Sequence, residues 1–118
     1  MKRDMDLLRR ILAEVEATDG TKNYETPVEA YHAALAKEGG LLHAEIMPEA
    51  PAIPMAAFVY RLTWAGHDFL DATKDEGVWK KVRESVLKPG VSFTFSVLQE
   101  ILKAEAQRQL RTVLGLPA

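Results

Sequence analysis

The stretch RLTWAGHDFLD, residues 61–71, concentrates the residue types that build active sites and metal sites. His67, Asp71 and Asp75 recur at i, i+4 and i+8, a spacing that places them along one face of a helix. An imidazole and two carboxylates on one face could hold a divalent metal ion. A hydrolytic metal centre also needs further histidines and aspartates at ligand spacing, so the rest of the sequence must supply them.

The rest of the sequence does not supply such ligands. His32 and His43 have no partner at ligand spacing, and the absence of cysteine excludes thiolate metal sites, cysteine nucleophiles and disulfides. No glycine-rich phosphate loop, nucleophile elbow or Ser/His/Asp arrangement is present. We therefore predict a protein that is not an enzyme and binds no metal or cofactor. We expect residues 61–71 to have a structural role.

Length and composition indicate a globular protein. A chain of 118 residues fits a single domain, and apolar residues at 47% with charged residues at 27% argue against a disordered chain. No apolar run approaches the roughly 20 residues that span a bilayer, and the N-terminus lacks a signal-peptide stretch, so we expect a cytoplasmic protein. The formal net charge of -2 gives no overall attraction to nucleic acid.

Two helices are predicted before residue 40. The first begins at a cap on Asp4 or Asp6 and runs to about residue 17, with an inward face of Leu8, Ile11, Leu12 and Val15. The second spans residues 27–38, because Thr26 can cap it, Pro27 suits the first position and Gly39 ends it. Its predicted inward face is Val28, Tyr31, Ala34 and Leu35.

The pattern then changes to short strands. LLHAEIM and AAFVYRL are apolar or alternating, and the three prolines of PEAPAIP between them forbid a helix, which predicts a hairpin with a stiff tip. Residues 61–71 form the exit from this hairpin. Here Leu62 enters the core, Thr63 caps a third helix that runs to about residue 74, and Gly66 allows that helix to approach the sheet closely. Phe69 and Leu70 pack inward.

Two more helices complete the prediction. The fourth spans about residues 78–87, with Val78, Trp79, Val82 and Val86 inward, and the last spans about residues 94–114. Trp79 is expected in the core, whereas Trp64 fits either a core or a stacking role. The last helix has more apolar surface than a small core needs, so residues 92–118 are a candidate dimerisation segment through Leu98, Ile101, Leu102, Leu110 and Val113.

The stretches MKRDMDLLRRIL, YHAALAKEGGLL and RLTWAGHDFLDATKDEGVW resemble an uncharacterised bacterial and prophage family whose members begin Met-Lys-Arg-Asp-Met-Asp. This resemblance covers residues 1–87 and implies a winged-helix-like domain without catalytic residues. The element order agrees with it. We expect an α+β, mainly α fold: a single winged-helix-like domain over residues 1–118 with a two-stranded antiparallel hairpin and additional C-terminal helices.

Double-stranded DNA is the first of two partner classes that stay open. Fold analogy favours a DNA-binding, transcriptional regulatory or phage accessory role, in which Tyr31, His32, Lys37 and the hairpin contact DNA. The formal charge disfavours DNA binding through this surface, because residues 26–60 carry four glutamates and one lysine, a balance of -3. If the first and fourth helices adjoin, their basic residues form an alternative phosphate-binding surface. These residues are Arg9, Arg10, Lys80, Lys81 and Arg83.

A protein partner is the second class. A protein-protein interaction module that does not bind DNA would use the uncharged tip APAIPMAAF as a docking patch, because prolines lower the entropy lost on binding. A homodimer through the last helix belongs to the same class.

Overall fold

The computed structural model describes residues 1–85 and 95–116 of the chain. Contacts group the chain into two compact units, Met1–Leu70 and Asp71–Ala118. The elements in chain order are α1 (Met5–Ala17), β1 (Lys22–Tyr24), α2 (Pro27–Glu38), β2 (Leu42–Met47), β3 (Ala56–Leu62), α3 (Trp64–Lys74), α4 (Glu76–Ser85) and α5 (Phe95–Val113). This confirms an α+β, mainly α fold; the single domain over residues 1–118 stays a prediction.

Helix α1 forms as predicted. The Asp4 side chain caps it by accepting a hydrogen bond from the backbone N–H of Leu7 at 3.1 Å. The apolar residues at helical spacing are buried, and they are Met5, Leu8, Ile11, Leu12 and Val15. This face supplies much of the core of the first unit.

Helix α2 has the predicted bounds and the predicted caps, but the predicted inward face is wrong. Its buried residues are Ala30, His32, Ala33 and Ala36, whereas Val28 is 51% exposed. The helix packs against α1, β2 and β3 through its alanines. Small side chains let the helix backbone come close to the sheet, so the larger apolar residues lie on the opposite side.

The hairpin of β2 and β3 is confirmed, but the sheet has a third strand that the sequence analysis missed. The sheet is antiparallel with the order β1-β3-β2, so β3 lies in the centre. Strand β1 has only three residues, too few for a periodic pattern, and it pairs Tyr24 with Ala57. The pairing of β2 with β3 shifts between His43 and Ala44, which leaves Tyr60 as an extra residue in β3.

The exit from the hairpin is built as the sequence indicated. Leu62 is buried, and the Thr63 hydroxyl accepts a hydrogen bond from the N–H of Gly66 at 3.0 Å, which caps α3. A Cβ on Gly66 would lie 1.9 Å from the carbonyl oxygen of Leu41, so only glycine fits this contact. Phe69 and Leu70 are buried, as predicted.

In the second unit, α4 packs against α5. Helix α4 begins two residues earlier than predicted because Asp75 accepts a hydrogen bond from the N–H of Val78 at 3.1 Å and so starts it. The buried apolar residues of these two helices are Val78, Trp79, Val82, Leu98 and Leu102, which confirms Trp79 as core. The predicted inward Val86 and the predicted ends at residues 87 and 94 lie outside the described residues. None of the described helices is long and apolar enough to cross a membrane.

Candidate functional site

A groove of about 1000 Å³ lies in the first unit between α2 and the tip of the hairpin. We call it the α2–hairpin groove. Its α2 wall consists of Tyr31, Ala34, Leu35, Lys37 and Glu38, its hairpin wall consists of residues 45–54, and Met1 completes the lining. The volume is at the upper end for small-molecule pockets, and the groove is open to solvent, which suits a chain segment better than a small ligand.

The groove exists because of the burial pattern of α2. The alanine face turns toward the sheet, so Tyr31, Ala34 and Leu35 are left half-buried on the side that faces the tip. The tip is organised by its own backbone hydrogen bonds, from Met55 N–H to Met47 carbonyl at 2.9 Å and from Ala52 N–H to Glu49 carbonyl at 3.2 Å. It presents apolar side chains to solvent, with Ile53 69% exposed.

The groove has an acidic character. Among the described side chains that line it, Glu38, Glu45 and Glu49 are anionic and Lys37 is cationic, a formal side-chain balance of -2. Partial burial and the hydrogen bond to the Glu45 carboxylate raise the pKa of Tyr60.

His32 does not lie on this surface, although the sequence analysis placed it with Tyr31 and Lys37 in a DNA-contacting set. It is 1% exposed, and both ring nitrogens are in hydrogen bonds. Nδ1 donates to the Val28 carbonyl at 2.8 Å, and Nε2 accepts from the backbone N–H of Asp4 at 2.8 Å. This position is incompatible with a DNA contact and makes His32 a structural residue that joins α1 to α2.

Two members of the alternative basic set, Arg10 and Lys81, are in ion pairs. Arg10 contacts Glu29 at 2.7 Å and Glu14 at 3.6 Å, and Lys81 contacts Glu105 at 3.1 Å. Arg9 and Arg83 also have interactions of their own, whereas Lys80 is exposed. Arg9 and Arg10 belong to the first unit and Lys80, Lys81 and Arg83 to the second. Paired cations attract phosphate less strongly, because their carboxylate partners compete with phosphate for the cation.

The family model described as "Hypothetical protein (DUF2513)" matches residues 2–92, which is more than half of the chain. The chain belongs to this family. It is also similar to a Haemophilus influenzae protein named "Uncharacterized protein", with 24% identity over 119 residues that cover 93% of this chain and 99% of that protein. None of the solved structures in the comparison matches the chain. Membership of the DUF2513 family confirms the resemblance to an uncharacterised family and assigns no activity.

The residues of the possible metal site have other contacts in this DUF2513 chain. His67 lies 3.4 Å from the Glu16 carboxylate, Asp71 pairs with Lys74 at 3.3 Å, and Asp75 caps α4. Within residues 1–85 and 95–116, no group of three or more histidine, aspartate or glutamate residues could hold a metal ion. The stretch therefore carries structural contacts in the described part of the chain.

The predicted dimerisation residues do not share one surface. Leu98 and Leu102 are buried in the second unit at 0% and 1% exposure, so they cannot contact a second copy, whereas Ile101 is half-buried. Leu110 and Val113 are exposed, at 58% and 82%. The buried members of the predicted set therefore lie in the first half of α5, and the exposed members lie near its end.

Sequence reasoning missed that α2 and the hairpin tip form one surface. The tip itself was predicted as a docking patch, and Tyr31 and Lys37 were named as contacts, but the role of Leu35 as a groove wall was not. Three alanines at positions 30, 33 and 36, one turn apart, were the available signal, because a row of small residues indicates a closely packed helix face. Trp64, which the sequence left open, is 85% exposed.

Proposed function

We propose that the chain is a non-enzymatic protein-interaction module that binds an apolar, positively charged protein segment in the α2–hairpin groove. The observation that carries this proposal is the combination of apolar walls with three glutamate side chains against one lysine side chain. Electrostatic complementarity steers a cationic segment toward such a surface, and apolar burial then supplies the affinity.

A winged-helix-like arrangement of the first unit is part of the proposal. It is supported by the order of α1, β1, α2 and the β2–β3 hairpin, with β1 added beside β3. The nine residues from 18 to 26 that separate α1 from α2 contain β1, whereas a helix-turn-helix has a turn of about 3–4 residues. We therefore do not propose that α1 and α2 form a standard DNA-binding helix-turn-helix.

The same features disfavour DNA as the partner of this surface. DNA affinity depends on neutralising phosphates, and the region from residue 26 to residue 60 has a balance of -3 with Lys37 as its cation. Of the three side chains expected to contact DNA, His32 is buried and Tyr31 and Lys37 line the acidic groove. A phosphate backbone in this position would meet Glu38, Glu45 and Glu49.

The apolar residues of the groove are suited to a protein segment. Ile53 and Met47 are 69% and 53% exposed, and exposed apolar side chains beside a groove are typical of interaction sites. Methionine adapts its shape to different partners because its side chain is unbranched and flexible. The prolines at positions 48, 51 and 54 restrict the tip before binding, which lowers the entropy that binding would cost.

The absence of enzymatic activity is likewise our proposal. It is supported by the contacts of His67, Asp71 and Asp75, each of which has a partner in the fold. A phage accessory or regulatory role is compatible with a module that binds another protein. Such a module would act by occupying the partner rather than by changing it chemically.

The proposal is tested by fluorescence anisotropy with two labelled synthetic peptides, a helical one of leucine and lysine and a matched one of leucine and glutamate. We expect the lysine peptide to bind and the glutamate peptide not to bind. Ile53→Lys in the groove should weaken binding at least about tenfold, a loss of about 1.4 kcal/mol. Val28→Lys is the matched control, because Val28 lies on α2 outside the groove and is 51% exposed.

Duplex DNA serves as the competing probe in the same assay. DNA binding that weakens steeply between about 50 and about 200 mM salt, without any binding of the lysine peptide, would contradict the proposal and favour a phosphate-contacting role. Equal binding of both peptides would contradict it too, because the acidic groove would then have no effect on the choice of partner.

A further inference from the structure

The described end of α5 has an exposed apolar surface of its own. Leu110, Val113 and Leu114 are 58%, 82% and 61% exposed, and Leu116 just beyond the helix is 50% exposed. We call residues 107–116 the α5 end segment. Large side chains exposed together on one segment indicate an interaction surface.

The α5 end segment has a defined conformation. Gly115 has a φ of 72°, its N–H donates to the Thr112 carbonyl at 3.2 Å, and the N–H of Leu116 donates to the Arg111 carbonyl at 2.8 Å. This pair of hydrogen bonds is the Schellman motif that ends many helices. The exposed leucines are therefore part of a helix with a regular end, and a partner would meet them already in place.

The charge of this segment is opposite to the charge of the groove. Residues 107–116 contain Arg108 and Arg111 and no aspartate or glutamate, a formal balance of +2. Arg108 also pairs with Glu105, which lies just before the segment, so Arg111 and the apolar side chains carry the rest of the contact. The side chains of the α2–hairpin groove sum to -2. The helical part of the segment that bears exposed apolar side chains, Leu110 to Val113, is about one turn long, which is short enough for a groove between one helix and one hairpin tip.

We propose that the α5 end segment of a second copy of the chain occupies the α2–hairpin groove. The inference rests on the proposed function of the groove, and it names the occupant as this chain's own cationic, apolar segment. A reciprocal exchange, in which each copy inserts its segment into the other's groove, gives a closed two-fold dimer. In that dimer both apolar surfaces are covered, and an external partner would have to displace the segment.

The experiment is sedimentation velocity of the full chain over a concentration series, with paired charge variants. Groove variant Glu38→Lys/Glu49→Lys and segment variant Arg108→Glu/Arg111→Glu should each associate at least about tenfold more weakly than the unmodified chain, because like charges then face each other. An equimolar mixture of the two variants should dimerise again, since each groove then meets a segment of opposite charge.

Val113→Asn tests the apolar part of the contact. It should also weaken the dimer at least about tenfold, since it places an uncharged polar group in an apolar contact. Val97→Asn is its matched control, because Val97 lies in the first half of α5 outside the end segment and is 44% exposed. This control should dimerise like the unmodified chain.

Two results would overturn the inference. The first is a chain that stays monomeric over the whole series. The second is a dimer that Val113→Asn weakens and the groove variant does not, because α5 would then pack against α5. Neither result bears on the proposed function, which depends on the lysine peptide binding to the groove of a single chain. If that peptide fails to bind while the paired variants still restore a dimer, the inference stands and the groove is specific for its own segment.

Discussion

The Nε2 atom of His32 accepts a hydrogen bond from the backbone N–H of Asp4 at 2.8 Å. The same Asp4 caps α1, and the Nδ1 atom of His32 donates to the Val28 carbonyl in α2. One buried imidazole therefore satisfies polar groups at the start of both helices. Because neutral histidine has one donor and one acceptor nitrogen, this arrangement uses its full hydrogen-bonding capacity.

Replacement of His32 by alanine should destabilise the first unit. The change removes two hydrogen bonds, leaves the N–H of Asp4 without its partner and opens a cavity, so we expect a loss of about 2–4 kcal/mol in the free energy of unfolding. Urea denaturation followed by circular dichroism measures it. His43→Ala on the exposed face of β2 is the control and should change stability by less than about 0.5 kcal/mol. Equal effects of the two changes would contradict the structural role of His32.

Gly66→Ala should be strongly destabilising for a steric reason. The added methyl group would lie 1.9 Å from the Leu41 carbonyl oxygen, which belongs to the backbone and cannot rotate away. Helix α3 must then shift, at a cost of about 3 kcal/mol or more. The denaturation midpoint measures this cost, and Ala65→Ser, an exposed position in the same turn, should be close to neutral. A Gly66→Ala variant as stable as the unmodified chain would show that α3 approaches Leu41 less closely.

Helix bounds in the first unit could be predicted because the signals are local. Asp4, Thr26 and Thr63 each cap a helix by a bond to a residue three positions later, so the relevant residues are neighbours in the chain. The hydrogen bond from the N–H of Gly66 to Thr63 is local in the same way, whereas the contact of Gly66 with the Leu41 carbonyl is not. Such short-range rules do not depend on how the rest of the chain folds.

The inward face of α2 and the groove could not be predicted in the same way. Periodicity assigns the larger apolar residues to the core, yet Ala30, Ala33 and Ala36 are buried because the sheet approaches this side. Leu35 lines the groove because the hairpin tip around Ile53 lies opposite it, and the position of the tip is a tertiary property. Likewise the predicted apolar stripe of α5 runs to residue 114 with an interruption at Ala106, yet its buried members Leu98 and Leu102 both lie in the first half of the helix. The packing of α5 against α4 that buries residues is a tertiary property.

Tyr24→Phe tests the contact between β1 and α1. The Tyr24 hydroxyl donates to the Glu14 carboxylate at 2.9 Å, so its removal should cost about 1 kcal/mol in the free energy of unfolding at neutral pH. Burial, together with the bond to Glu14, raises the pKa of Tyr24. A raised pKa in the folded state means that this stability is present below the unfolded value of 10.0 and is lost as the pH rises above it.

The difference between Tyr24→Phe and the unmodified chain should therefore shrink when unfolding is measured above about pH 10. Tyr31→Phe, a half-buried position on α2, is the control and should stay within about 0.5 kcal/mol of the unmodified chain at neutral pH. A difference that is constant across the alkaline range would show that the phenol does not titrate with folding.

Glu105 on α5 links α4 and α5 in the second unit. Hydrogen bonds from Arg108 and Lys81 lower the pKa of Glu105 from 4.5 to about 2. A lowered pKa in the folded state means that the contribution to stability is fully present above the unfolded value of 4.5 and is lost as the pH falls from there to about 2. Glu105→Gln should therefore lower the denaturation midpoint at neutral pH and leave it unchanged near pH 2.

Fluorescence of the buried Trp79 in urea reports this transition, because Trp79 belongs to the same unit. Glu100→Gln, at an exposed position of the same helix, is the matched control and should shift the midpoint little at either pH. A Glu105→Gln midpoint that differs from the unmodified chain by the same amount at neutral and acid pH would contradict the ion-pair role. The loss would then come from packing of the side chain, which does not depend on protonation.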